Sequence, residues 1–116
     1  MRIKNILALG IAGAALATFG AAGVASANDV TLYENSNYAG GTVDVYSDVS
    51  NFAGWTFSNG DAVKNNAASA YNWGPGAASV FYNSNYAGSS DYLAPNSGEN
   101  RLGYTYNENA SLKFWW

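Results

Sequence analysis

The residues that usually carry chemistry are scarce in this chain, and two of them are missing altogether. Neither cysteine nor histidine occurs among the 116 residues. That excludes a disulfide framework, a Cys/His zinc site, a thiolate nucleophile and a Ser-His-Asp triad. What remains for acid–base work is a carboxylate pair of the kind glycoside hydrolysis uses. Glu34, Glu99 and Glu108 stand in no recognisable catalytic context, and surface solvation accounts for them. No catalytic residue is assigned, and the chain reads as a non-enzyme. Recognition is left to asparagine, serine and the aromatics, which at 16% outnumber the 11% of charged residues. Such side chains can stack on and hydrogen-bond sugars, but in a small β-domain they more often form core and turns.

The spacing of these polar residues says more than their identity. Val30-Thr-Leu-Tyr-Glu-Asn-Ser-Asn-Tyr-Ala-Gly40 recurs as Ala78-Ser-Val-Phe-Tyr-Asn-Ser-Asn-Tyr-Ala-Gly88, at an offset of 48. Asn65-Asn-Ala-Ala-Ser69 returns as Asn107-Glu-Asn-Ala-Ser111, at an offset of 42. Two echoes in one short chain identify an internal duplication. Each unit reads as short strands with period-two alternation: Val30–Glu34, Thr42–Tyr46 and Ser69–Trp73, then Ser79–Tyr82, Asp91–Leu93 and Ser111–Trp115. Asn59-Gly60, Gly74-Pro75-Gly76 and Pro95-Asn-Ser-Gly98 read as turns. Tyr33, Tyr38 and Gly40, matched by Phe81, Tyr86 and Gly88, form an aromatic-x4-aromatic-x-Gly pattern. Glycine permits the positive φ that a folded hairpin needs, and the aromatic two positions earlier can cover the fold. Leu112 and Phe114 are expected in the core, with Trp115 and Trp116 as a lid on the sandwich end.

The amino terminus reads as a targeting segment. Arg2 and Lys4 precede an uncharged Gly/Ala-rich run, and Ala25-Ser26-Ala27 supplies the small-x-small pattern of a cleavage site. A signal peptide over residues 1–27 and a mature domain over 28–116 are expected, hence secretion and no membrane attachment after cleavage. The mature part carries Lys64, Arg101 and Lys113 against eight carboxylates, so 3 − 8 = −5. No basic cluster is present to displace counterions, which excludes nucleic acid as a partner. A monomer is expected. A domain this small has a thin core and, without disulfides, needs another stabiliser.

Tyr33-Glu-Asn-Ser-Asn-Tyr-Ala-Gly40 and Phe81-Tyr-Asn-Ser-Asn-Tyr-Ala-Gly88 resemble the Greek key signatures of the βγ-crystallin superfamily, and the likeness spans Val30–Phe114. It implies an all-β fold: two Greek keys, about 30–74 and 78–116, packed as a βγ-crystallin-like sandwich. Asn65–Ser69 and Asn107–Ser111 are similar to that family's calcium motif: two Asn/Asp, two variable residues, then Ser/Thr and Ser. The resemblance thereby implies weak binding of up to two Ca2+ ions in the motif loops. Carried over by position, the side-chain ligands are Asn66, Ser69, Glu108 and Ser111. Backbone carbonyls would come from Ala67 and Asn109, and from Glu34 and Tyr82 in the first strand of each unit. The motif's final Ser is replaced by Ala70 and Leu112, and few carboxylates mean weak affinity. The alternative for Ser69 and Ser111 is that they hydrogen-bond the folded hairpins.

The leader and the Gly/Asn-rich composition are similar to those of small secreted actinobacterial members, which include a metalloproteinase-inhibitor group and a killer-toxin-like group. The expected function is a non-enzymatic domain that binds calcium for stability. Inhibition of an extracellular protease, a metalloproteinase among them, is the alternative, through Ser47–Trp55 or Pro95–Gly103; a killer-toxin-like or cell-wall-binding protein with a cell-surface partner is the second. An inhibitory loop without cysteines needs some other source of rigidity, because ordering a loop on binding costs affinity.

Overall fold

The computed structural model describes residues 27–115. The predicted leader, Ala27 apart, lies outside the described residues, as does Trp116. Seven strands and no helix occur among the described residues: β1 Val30–Asn35, β2 Ala39–Val45, β3 Ser69–Asn72, β4 Ala78–Asn83, β5 Ala87–Leu93, β6 Ser97–Glu99 and β7 Ser111–Phe114. They form a four-stranded sheet, β2-β1-β3-β6, and a three-stranded sheet, β5-β4-β7.

The duplication is visible in the register. Val30 pairs with Val45 and Tyr33 with Thr42; Ala78 pairs with Leu93 and Phe81 with Ser90. Both hairpins then slip at a bulge, at Glu34 and Tyr82, before Asn35 meets Ala39 and Asn83 meets Ala87. An extra residue on one strand sharpens the local bend, which lets the hairpin fold over its sheet. Gly40 and Gly88 both adopt φ +81°. A Cβ on Gly40 would stand 2.6 Å from Asn35 Nδ2, and one on Gly88 2.7 Å from Asn83 Nδ2. Glycine is thus required twice over, by torsion and by space.

Each unit lends chain to the other's sheet. β6 belongs to the second unit yet pairs with β3, Tyr71 opposite Gly98. In return Val49 of the first unit bridges Leu112 of β7 through reciprocal 2.9 Å hydrogen bonds. This exchange makes the two keys one folding unit. Ser97–Glu99 therefore forms a strand where a turn was expected. It contains no β-branched or aromatic residue, and its pairing with β3 overrides a weak local preference. Gly98 is essential to that pairing, since a Cβ there would lie 2.5 Å from Tyr71 Cδ2 and 2.7 Å from the Ala70 carbonyl oxygen.

The inward faces supply the expected apolar alternation. Val30, Leu32, Val45, Val80, Leu93, Leu112 and Phe114 are buried together, joined by Phe52, Phe57, Val63 and Leu102 from the connections. Leu112 and Phe114 share the core-facing side of β7, as their spacing predicted. Asn72 is a fully buried polar side chain that the sequence did not single out. Its amide donates to the Gly76, Leu93 and Ala94 carbonyls and its oxygen accepts from the Gly74 N–H, so it pins the link between the units.

Candidate functional site

The folded hairpins are locked by the two motif serines. Ser69 Oγ donates to the Asn35 carbonyl at 2.6 Å and accepts from the Tyr38 N–H at 3.0 Å. Ser111 Oγ does the same with the Asn83 carbonyl at 2.7 Å and the Tyr86 N–H at 3.0 Å. Both serines are fully buried. Their partners need this support: Asn37, Tyr38, Asn85 and Tyr86 all have φ near +60°. Left-handed backbone is unfavourable for a tyrosine and persists only where its surroundings hold it.

The motif loops lie side by side and are stitched together. The Asn65 N–H donates to the Asn109 carbonyl at 2.9 Å, and the Asn107 N–H donates to the Ala67 carbonyl at 2.8 Å. The buried Asn109 side chain accepts from the Ala67 N–H and donates to the Val63 carbonyl. Asn66 faces solvent and donates to the Ala62 carbonyl; Glu108 is exposed. Glu34 and Tyr82 mark the hairpin bulges.

This donor set does not fit a calcium ion, which takes six to eight oxygen ligands. The Ser69 and Ser111 hydroxyls are committed and buried, and the Ala67 and Asn109 carbonyls serve the partner loop. Glu108 brings the one carboxylate, and no group of three His, Cys, Asp or Glu side chains placed to hold a metal ion occurs among the described residues. The serines take the structural alternative that the sequence left open. The asparagine of greatest consequence is Asn109, through its side chain and not only its carbonyl.

Aromatic ladders cover the outer faces. Tyr33, Tyr38, Tyr71 and Trp73 form a chain of ring contacts across the first sheet, with centroids 5.5, 5.9 and 4.2 Å apart. On the second sheet Phe81 meets Tyr86 and Trp115, while Lys113 Nζ lies 5.3 Å from the Tyr86 ring centroid. Trp115 Nε1 donates to Ser79 Oγ at 2.8 Å. Trp115 therefore lies along a sheet face and not across the sandwich end, and Trp116 is outside the described residues. Burial raises the Tyr38 phenol above its ordinary pKa, with the Tyr71 and Glu99 charges adding to it.

Both expected contact loops are held without disulfides. Ser47–Trp55 is tied by the Val49 bridge, by the Phe52 N–H to the Ala110 carbonyl at 2.9 Å, and by the edge-on Phe52–Trp55 pair. Asp48 accepts from the Phe114 N–H at 2.8 Å and pairs with Lys113. In Pro95–Gly103, β6 is paired, Leu102 is buried and its N–H reaches the Ala68 carbonyl at 2.8 Å. The Asn100 carbonyl accepts from the Asn37 N–H at 2.7 Å. The described residues also place Glu34 beside Asp61. Hydrogen bonds from Asn59 and then Asp61 lower the Glu34 pKa, while the bond to Glu34 and its charge raise that of Asp61.

Two interlocked Greek keys with serine-locked hairpins define a βγ-crystallin sandwich, and solved structures agree. A structure described as "Evolution of the eye lens beta-gamma-crystallin domain fold" matches with a TM-score of 0.67 at 19% identity, covering 83% of this chain and 93% of that one. A βγ-crystallin from Ciona intestinalis matches at 0.62 and 20%, covering 75% and 99%. One from an archaeon matches at 0.62 and 23%, covering 77% and 99%. No curated protein sequence matches significantly. The profile of peptidase inhibitor family I36 matches residues 20–93, and the chain belongs to that family.

Proposed function

We propose that this chain is a secreted, non-catalytic inhibitor of an extracellular peptidase, built on a βγ-crystallin sandwich. The family match over residues 20–93 carries the reading. The fold supports it physically. Ser47–Trp55 and Pro95–Gly103 are held by backbone pairing and buried anchors, which lowers the ordering cost of binding as a disulfide would. The absence of cysteine and histidine from the sequence leaves it no thiol or imidazole nucleophile or base. Secretion rests on the leader pattern, with the mature chain beginning at Asn28; the intact mass of the chain from culture supernatant checks that start.

Inhibition is tested with the purified secreted chain against endopeptidases of the serine, cysteine and metallo classes. The folded chain should slow at least one of them, and the same chain heat-unfolded, serving only as a competing substrate, should not do so equally. Unimpeded activity in all three classes would contradict the reading.

A further inference from the structure

Asp91 organises a feature that has no counterpart in the first unit. Its Oδ1 accepts from the N–H groups of Gly103 at 3.2 Å and Tyr104 at 3.1 Å. Its Oδ2 accepts from the Thr105 N–H at 2.8 Å and the Thr105 hydroxyl at 2.6 Å. Three successive N–H groups thus converge on one carboxylate, a nest that fixes the backbone. At the duplication's offsets, Asp91 corresponds to Val43, and Gly103, Tyr104 and Thr105 to Asp61, Ala62 and Val63. In the first unit the Val63 N–H is met by the Trp55 carbonyl, and Ala62, itself exposed, forms an isolated bridge with Thr56. The second unit is shorter by 48 − 42 = 6 residues between its landmarks. Here the Asp91 carboxylate is the acceptor for all three N–H groups.

The result is a rigid tip that presents one large ring. Tyr104 is 70% exposed, the most exposed large hydrophobic side chain among the described residues, while its neighbours Leu102 and Thr105 are buried anchors. The Thr105 carbonyl accepts from the Glu108 N–H, and the Arg101 guanidinium packs 3.8 Å over the Tyr106 ring. Exposing an aromatic ring gives the folded monomer nothing, whereas a rigid aromatic entering an apolar pocket is the commonest kind of binding hot spot. We infer that Tyr104 is the anchor residue of this inhibitor, inserted into the apolar specificity pocket of the target endopeptidase. The inference rests on the inhibitor reading. Residues 104–107 form a turn, and a turn does not lie extended along a cleft as a substrate does. The ring therefore plugs the pocket without offering a bond for cleavage.

Chymotrypsin and thermolysin, a serine and a metallo enzyme with apolar pockets, are the probes, and trypsin, with its acidic pocket, is the control. The secreted chain should inhibit at least one of the first two. Tyr104→Ala should weaken that inhibition at least tenfold with the melting temperature unchanged, while Tyr104→Phe should retain it. A loss smaller than tenfold for Tyr104→Ala, or cleavage after Tyr104 seen by mass, would overturn the assignment. So would a wild-type chain that leaves both apolar-pocket enzymes untouched. Inhibition of trypsin or another peptidase in that case would leave the inhibitor function standing and remove only the role of Tyr104.

Discussion

A serine hydroxyl has one proton to donate and few lone pairs to share, and at Ser69 and Ser111 both capacities are spent on hairpin backbone. Removing either hydroxyl strands a carbonyl and a tyrosine N–H, so Ser69→Ala and Ser111→Ala should each cost about 1–3 kcal/mol. The loss should be the same with calcium and with a chelator, which paired thermal melts will show; a loss seen only with calcium would restore the serines as metal ligands. Residue type alone does not separate these roles, because a hairpin lock and a cation ligand both call for a short hydroxyl beside asparagine. Asp61 adds a pH-dependent case. Its raised pKa means that its protonated form stabilises the folded state; that contribution is complete below the ordinary carboxylate range and is lost as pH rises through the folded value. Glu34 has the opposite sign, its contribution present at neutral pH and lost in acid. Asp61→Asn keeps a donor for Glu34 without the second charge. It should raise the melting temperature at neutral pH, and the gain should vanish in acid; a constant difference across pH would contradict the paired titration.

The strands differ in how openly the sequence declares them. β1, β2, β4 and β7 alternate apolar and polar residues, and the echoes at offsets of 48 and 42 made the duplication legible from the residues alone. The folded hairpins were legible as well, through Gly40 and Gly88. Valine at either position should destabilise by about 1–3 kcal/mol, because a β-branched residue is strained at positive φ, and the Asn35 and Asn83 side chains leave its Cβ no room. Unchanged melts would mean that the hairpins do not fold over. The positive φ of Tyr38 and Tyr86 was not legible, because it is imposed by the serines across the sheet. β6 was hidden for a related reason: Ser97, Gly98 and Glu99 have no strand propensity, and the pairing with β3 is long-range. Gly98→Ala should loosen that edge, at about 1–3 kcal/mol for an overpacked contact. Amide exchange across Ser97–Glu99 would report it, and unaltered protection would show that the close approach to Tyr71 is not required.

For a chain without cysteine, cohesion comes from the exchange of chain between the units, with β6 joined to the first sheet and Val49 to the second. The core is shared, so the keys should unfold together. Calcium that does not bind the native state cannot stabilise it; millimolar calcium should leave the melting temperature unmoved, and a saturable rise would contradict the fit drawn from the motif loops. What this architecture offers a partner is surface held rigid by hydrogen bonds, and the proposed partner of that surface is a peptidase. The most direct test is an active-site titration of a sensitive endopeptidase with the purified secreted chain. Activity should fall linearly with added chain and reach its floor at one equivalent, with the chain recovered intact. A fall that demands large excess, or that tracks proteolysis of the chain, would show a substrate and not an inhibitor.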